Sequence, residues 1–79
     1  MQIEVRLYAT LRDFAPPEAL HGVYAATLRT GATVQEILDS LAIPTKKVHM
    51  IMRNGAGVTP EEVLQENDRL GLFPPIGGG

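Results

Sequence analysis

The N-terminal segment alternates between apolar and polar side chains, and this alternation constrains the fold more than any other feature. Over residues 2–12, apolar side chains fall on one side of an extended chain and mainly polar ones on the other. The apolar set is Ile3, Val5, Leu7, Ala9 and Leu11. This period of two predicts a half-buried strand, whose apolar face needs a covering layer. Because Pro16 and Pro17 cannot continue a strand ladder, residues 14–21 are expected to form a loop.

One amphipathic helix is predicted to supply the covering layer. Thr33 stands three residues before Glu36, the spacing of a capping box in which each side chain binds the other residue's backbone N–H. The apolar stripe that follows at helical spacing consists of Val34, Ile37, Leu38 and Leu41. Pro44 should stop this helix by Ile43, because the residue before a proline avoids the helical region.

Three further strands are predicted, over residues 22–29, 48–53 and 69–73. The better inward face of the second strand carries Tyr24, Ala26 and Leu28. The third strand is apolar on both sides, so that either Ile51 or the set on the other side could face the core. That other set is Val48, Met50 and Met52. In the fourth strand, Leu70 and Leu72 share one face and Gly71 and Phe73 share the other.

The connection between the third and fourth strands has two local signals. Asn54-Gly55 predicts a turn, and Ala56-Gly57 is expected to make the loop longer than a tight hairpin. Thr59, followed by Pro60 and then by Glu62 three positions on, predicts a helix start of one or two turns.

The predicted order is therefore strand, strand, helix, strand, short helix, strand. It gives an α+β fold, a mixed four-stranded sheet packed on one main helix plus a short helix. We expect residues 1–76 to form a single domain and residues 77–79 to form a flexible C-terminal glycine tail.

Composition excludes several functional classes. The chain has 79 residues, a formal net charge of −2 and no cysteine. A mildly acidic chain lacks the basic footprint needed for nucleic acid or an anionic membrane, and without cysteine it has no thiolate ligand or thiol nucleophile. His21 and His49 have no carboxylate at metal-ligand spacing, and residues 54–59 lack the Lys-Ser/Thr pair of a phosphate loop. We expect a small cytoplasmic module that binds no cofactor or metal and works with a partner.

The C-terminus carries the most functional information. Three consecutive glycines at specified positions have a chance probability of about 0.03–0.04% at average glycine usage. Pro74 and Pro75 precede them and prevent a continuing strand. The pattern favours a thin, flexible segment that presents the Gly79 carboxylate to a partner. After ATP-dependent adenylation by that partner, a sulfur nucleophile would give a thiocarboxylate and a lysine would give an isopeptide bond. A glycine tail without a role is the alternative.

These residues resemble the MoaD/ThiS sulfur-carrier family over essentially the whole chain. The C-terminal sequence from Phe73 to Gly79, with residues 66–70 before it, is similar to the end of that family. Residues 5–13, the Thr33-Val34 helix start and the Asn54-Gly55 turn also fit. Two departures are Asn67, where a turn glycine is usual, and Arg53, where an apolar residue is usual.

The resemblance implies a ubiquitin-like β-grasp fold and a sulfur carrier that is not an enzyme. Gly79 would be adenylated by an E1-like enzyme, which uses the ATP, and converted to a thiocarboxylate for sulfur transfer. Gly78 would keep the tail thin inside both partners. The partner-binding set would be Phe73, Pro74, Pro75, Ile76, Gly77 and Gly78. The Phe-Pro-Pro motif favours the branch of the molybdopterin synthase small subunit, whose partner is a larger catalytic subunit.

Other interpretations stay open at this point. The chain could carry sulfur for thiamine or another pathway, or be a ubiquitin-like modifier joined to lysines. Lys46 and Lys47, the only lysines, are candidate targets of self-modification. The acidic residues of 61–68 would serve capping and a turn, or alternatively contact a basic partner surface.

Overall fold

The computed structural model describes residues 1–76, and the predictions made for Gly77, Gly78 and Gly79 lie outside them. One mixed sheet packs against one helix. The strands are β1 (Gln2–Leu7), β2 (Val23–Thr27), β3 (Met50–Arg53), β4 (Ala56–Gly57) and β5 (Arg69–Phe73), and the helix is α1 (Val34–Ser40). Two short 3-10 helices cover Ala9–Phe14 and Thr45–Lys47.

The sheet has the strand order β2-β1-β5-β3-β4. β1 is antiparallel to β2 and parallel to β5, while β3 is antiparallel to both β5 and β4. The predicted α+β class and mixed sheet are confirmed, with five strands in place of four. Because β1 and β5 run the same way, both end at the same edge of the domain.

The core lies between α1 and one face of the sheet. Its buried residues are Ile3, Val5, Leu7, Leu11, Ala26, Val34, Ile37, Leu38, Ile43, Ile51, Leu64, Leu70 and Leu72. The helical stripe, the second strand's Tyr24, Ala26 and Leu28, and the Leu70 and Leu72 face therefore pack as the sequence predicts. At the helix start, the Glu36 carboxylate accepts a hydrogen bond from the Thr33 backbone N–H at 3.1 Å, as the capping-box spacing indicates.

The prediction that the first strand continues to residue 12 is wrong. β1 ends at Leu7, and Ala9 adopts a left-handed conformation with φ 50°. The following 3-10 helix has three residues per turn, so that Leu11 and Phe14 point to the same side. Leu11 would be buried in a longer strand, and it is also buried in the 3-10 helix. The apolar alternation therefore continues past the end of β1.

The connection after β3 is a tight hairpin, contrary to the longer loop expected. Arg53 pairs with Ala56, which leaves only Asn54 and Gly55 in the turn. Both have positive φ, 51° and 86°, as a type I′ turn requires. The two residues after the turn form β4, the strand missing from the prediction.

The short helix predicted from Thr59 is absent from the described residues. Val63 instead bridges Thr33 in extended conformation, and its neighbour Leu64 is buried. The carbonyls of Pro60 and Glu62 accept hydrogen bonds from the Gln35 and Val34 N–H groups at 2.8 and 3.0 Å. These N–H groups lie in the first turn of α1 and have no partner inside it. The segment after Thr59 therefore caps α1 and does not form a helix of its own.

Candidate functional site

The last bonds of the sheet hold the root of the C-terminal segment. The Leu72 carbonyl accepts a hydrogen bond from the Tyr8 N–H at 3.1 Å, and the Phe73 carbonyl accepts one from the His49 N–H at 2.8 Å. Pro74 has no N–H to donate, so the ladder ends at Phe73. Three residues further on, Ile76 is 88% exposed, which is unusual for so large an apolar side chain.

An aromatic pair covers the outer face of the sheet beside this root. The rings of Tyr8 and Phe73 are stacked, with centroids 4.2 Å apart and planes 6° from parallel. Met50 pairs with Phe73 in the register of β3 and β5 and is 42% exposed. These three side chains and the exposed Ile76 border a shallow apolar groove, which we call the exit groove.

A glycine makes the close approach of the rings possible. Gly71 lies two residues before Phe73 in β5 and therefore on the same outer face of the sheet. A Cβ atom added there would lie 3.3 Å from Phe73 Cε1 and 3.4 Å from Tyr8 Cε2. The missing side chain leaves a dent beside the rings, and the guanidinium-bearing Arg6 and Arg69 contribute to its lining. The outer face thus combines flat aromatic area with cationic edges.

A buried ionic network fixes the turn from which β5 starts. Asp68, only 4% exposed, accepts hydrogen bonds from Arg53 Nε, the Gln65 N–H and Asn54 Nδ2 at 2.7, 2.7 and 2.8 Å. Burial opposes ionisation of the Asp68 carboxyl, but these hydrogen bonds outweigh it and lower the pKa below its ordinary value. Arg53 also pairs with Glu62 at 2.9 Å.

The acidic segment and the unusual Arg53 are therefore explained together. Glu62 and Asp68 neutralise Arg53 inside the molecule, and the Glu66 carboxylate accepts the Gln2 N–H at 3.1 Å. All three side chains therefore have structural roles, although Glu62 pairs with Arg53 and does not cap the predicted short helix. Ile51, 6% exposed, faces the core of β3, which resolves the register of the third strand. Asn67 takes φ 68°, so it adopts the left-handed turn in which a glycine is usual.

Comparison with known proteins decides the family. A model of the ThiS family matches residues 5–79. The chain belongs to the ThiS family. A sequence search of curated proteins finds no match.

Solved structures support the same β-grasp fold. SAMP1 from Haloferax volcanii is 26% identical, with a TM-score of 0.75 over 100% of both chains. A Pyrococcus furiosus protein assigned as subunit 1 of molybdopterin converting factor is 22% identical, with a TM-score of 0.70, and the match covers 95% of this chain and 98% of that one. One further match is a complex of subunits 1 and 2 of molybdopterin-converting factor from Helicobacter pylori, at 21% identity, with a TM-score of 0.60 and 100% of both chains covered.

Four of the predicted site residues of this ThiS-family protein lie within the described part of the chain. Phe73, Pro74, Pro75 and Ile76 follow one another along the exit groove. Gly77, Gly78 and Gly79 lie outside the described residues. Sequence analysis missed the outer-face neighbours Tyr8, Met50 and Gly71. The signal for Met50 was the apolar character of the third strand on both faces, whereas Tyr8 and Gly71 had no such signal within their own strands.

The remaining candidate residues and segments have the following places in the described part of the chain. Both His21 and His49 are exposed, and no group of three potential ligands within residues 1–76 could hold a metal ion. The phosphate-loop-like segment is the β3–β4 hairpin. None of the helices in the described residues has the length and apolar character to cross a bilayer.

Proposed function

We propose that this protein is a sulfur carrier whose reactive group is the Gly79 carboxylate. An E1-like partner would bind ATP and let the carboxylate attack the α-phosphorus, releasing pyrophosphate and forming an acyl-adenylate. Hydrosulfide would then attack the carbonyl carbon and displace AMP, leaving a thiocarboxylate and one proton. The chain itself supplies the reacting group and the docking surface, and the partners supply catalysis.

One observation carries this proposal most strongly. The strand ladder stops at Phe73, and the chain continues through two prolines to an exposed Ile76 and three glycines. An enzyme that must reach a terminal carboxylate needs a stable root followed by residues with little bulk. Family membership supports the same interpretation.

The docking surface would be the exit groove together with the outer face around the stacked rings. Tyr and Arg side chains are enriched among binding hot spots, and this face carries Tyr8 and Arg69. The Phe-Pro-Pro motif and the fold shared with subunit 1 of molybdopterin-converting factor favour sulfur transfer in molybdopterin synthesis. On this proposal a larger catalytic subunit accepts the sulfur.

A ubiquitin-like protein modifier is the second candidate. Its specific support is the likeness, at 25% identity, to a structure described as H. volcanii small archaeal modifier protein 1. In that case the acyl-adenylate or a derived thioester would be attacked by a lysine amine of a target protein.

Intact-mass measurement separates the two candidates. The protein is incubated with ATP, a sulfide source and each adenylating enzyme encoded in the source genome. A gain equal to sulfur minus oxygen marks the carrier, whereas adducts on other proteins in an extract mark the modifier. A wild-type mass that never changes with any of these enzymes would refute both.

Two tail variants and one matched control sharpen this test. Deletion of Gly79 should abolish the mass gain without lowering the unfolding temperature, because the tail is expected to lie outside the core. Gly78→Ala should slow it, whereas Gly57→Ala should not, since a Cβ at Gly57 meets no atom within 4 Å. A deletion variant that still gains sulfur would show that the reacting group lies elsewhere.

A further inference from the structure

A second groove lies on the other side of the prolines from the stacked rings. The two 3-10 helices, Ala9–Phe14 and Thr45–Lys47, flank it, and Pro74 and Pro75 close it. Its volume is ≈ 650 Å³. We call it the lysine groove, because Lys46 and Lys47 form one of its walls. No step of the proposed sulfur chemistry uses it.

The lysine groove concentrates uncompensated positive charge. Lys46 and Lys47 make no ion pair within residues 1–76, whereas Arg6, Arg29 and Arg53 each pair with a carboxylate. Asp13 is the one acidic side chain among the described residues that line the groove. The groove is thus net positive on a chain whose formal net charge is −2.

Backbone hydrogen bonds and one side-chain contact place the lysine turn, Thr45–Lys47, beside the tail root. Lys47 Nζ lies 5.6 Å from the centroid of the Phe14 ring, a cation–π distance that restrains the side chain. The lysine turn is closed by the Val48 N–H bond to the Thr45 carbonyl at 3.0 Å. The next residue, His49, donates its N–H to the Phe73 carbonyl. The lysine turn, and with it the Lys47 ammonium, therefore lies beside the point where the tail leaves the sheet.

The acidic residues at the opposite end of the strands are held by internal contacts. The Glu66 carboxylate and the Asn67 N–H bind the backbone of Gln2, at the beginning of β1. Asp68 precedes β5, whose far end is the tail root. Lys46 and Lys47, which make no ion pair within residues 1–76, lie instead at the end of the strands where the tail leaves.

We propose that the lysine groove binds an acidic segment of the adenylating enzyme that receives the tail. This inference rests on the proposed function. The four residues that follow Pro75, up to Gly79, span at most about 13–14 Å, so any enzyme acting on Gly79 must approach within that distance of the prolines that close the groove. Opposite charges at the rim of such an interface accelerate and orient encounter, so that the protein approaches its partner tail-first.

Charge-matched variants test the inference. Lys46→Gln/Lys47→Gln lowers the net charge by two at the groove. Thr30→Glu/Gln65→Glu lowers it equally, at exposed positions toward the opposite end. The readout is the association rate with the adenylating enzyme that supports the wild-type mass gain. It is measured between about 0.01 M and about 1 M ionic strength, where the Debye length falls from about 30 Å to about 3 Å.

At low ionic strength, the lysine variant should associate about five- to tenfold more slowly than wild type, and the control should stay within about twofold. The difference should vanish at high ionic strength. Equal slowing of both variants would show that the association rate depends on net charge and not on the position of the lysines. Unchanged rates would show that the groove lies outside the interface. Loss of wild-type self-association in the lysine variant, measured by sedimentation, would instead identify a second copy as the occupant. Each of these three outcomes overturns the inference while leaving the mass gain intact, whereas failure of the proposed function removes the mass gain itself.

Discussion

Asp68→Asn should destabilise the fold strongly at neutral pH, because the network that starts β5 needs both carboxylate oxygens. Asp68 Oδ2 accepts bonds from Arg53 Nε and the Gln65 N–H, and Oδ1 accepts one from Asn54 Nδ2. An amide of the same shape offers one oxygen, so at least one donor faces an NH₂ group. Asn54 cannot turn its amide to compensate, because its own oxygen accepts the Arg69 N–H at 2.8 Å.

The magnitude follows from these contacts. Leaving a buried donor without an acceptor costs about 1–3 kcal/mol, and the bonds that survive lose their charge assistance. We expect a total loss of about 3 kcal/mol, against a free energy of unfolding of roughly 4–12 kcal/mol for a domain of this size. The unfolding temperature should fall by about 12–24 °C.

The pH dependence gives the effect a signature. The pKa of Asp68 is lower in the folded chain than in the unfolded chain, where it is about 3.9. The ionised carboxylate therefore stabilises the fold above that value, and this contribution disappears as the pH falls through the folded pKa. The gap between wild type and Asp68→Asn should close on acidification.

Urea unfolding followed by circular dichroism, from pH 7 to about pH 3, measures this gap. Asp39→Asn is the matched control, since Asp39 is exposed on α1 and should change stability by less than about 0.5 kcal/mol. If Asp68→Asn were as stable as Asp39→Asn at pH 7, or if its deficit stayed constant down to pH 3, the proposed role of the network would be wrong.

Four substitutions test other parts of the structure. Ile51→Ala should lower the free energy of unfolding by about 2–4 kcal/mol and Met50→Ala by less than about 1 kcal/mol, and equal losses in urea unfolding would contradict the register of β3. Gly55→Ala should cost about 1–2 kcal/mol because an alanine must then take φ 86°; an unchanged stability would mean that the turn has another shape. Gly71→Val should change stability by less than about 1 kcal/mol but displace the Phe73 ring, weakening binding to the adenylating enzyme at least about tenfold by calorimetry. Unchanged binding would exclude the dent from the interface.

Local sequence predicted an element correctly where its residue pattern matched the contacts that the element makes in the fold. β5 was predicted at its observed bounds, since its alternation is short and closed by two prolines. α1 was predicted from its capping box and stripe, and it ends at Ser40, before the limit set by Pro44. Ala42 then adopts φ 58°, which lets the Ile43 N–H bond the Leu38 carbonyl and brings Ile43 into the core.

The wrong predictions have a common physical cause, which is pairing with distant parts of the chain. The segment after Thr59 has a helix-start signal, but its carbonyls bind N–H groups of α1 that no local residue could satisfy. β4 is two residues long, and only its pairing with β3 distinguishes it from a loop. Asn54-Gly55 was itself a sufficient hairpin signal, because few other residue pairs accept positive φ twice.

Within the candidate site, the sequence could predict only the residues that follow one another in the C-terminal motif. The C-terminal motif identified Phe73 and the residues after it, but the surface around them comes from β1 and β3. Tyr8 reaches Phe73 through the parallel pairing of β1 with β5, a contact that no pattern within either strand can show.

The stacked rings reconcile two conflicting demands on a small carrier. An exposed apolar surface promotes association with wrong partners, yet the docking proposed here needs apolar area. At 4.2 Å and nearly parallel, Tyr8 and Phe73 each hide one ring face from water in the free protein. The same contact holds both side chains in place, and ordering a side chain on binding would otherwise cost about 0.5–1.5 kcal/mol each. Gly71 thus acts on both the free and the bound state, because a Cβ atom there would lie 3.3 Å from Phe73 and 3.4 Å from Tyr8 and would crowd the stacked pair.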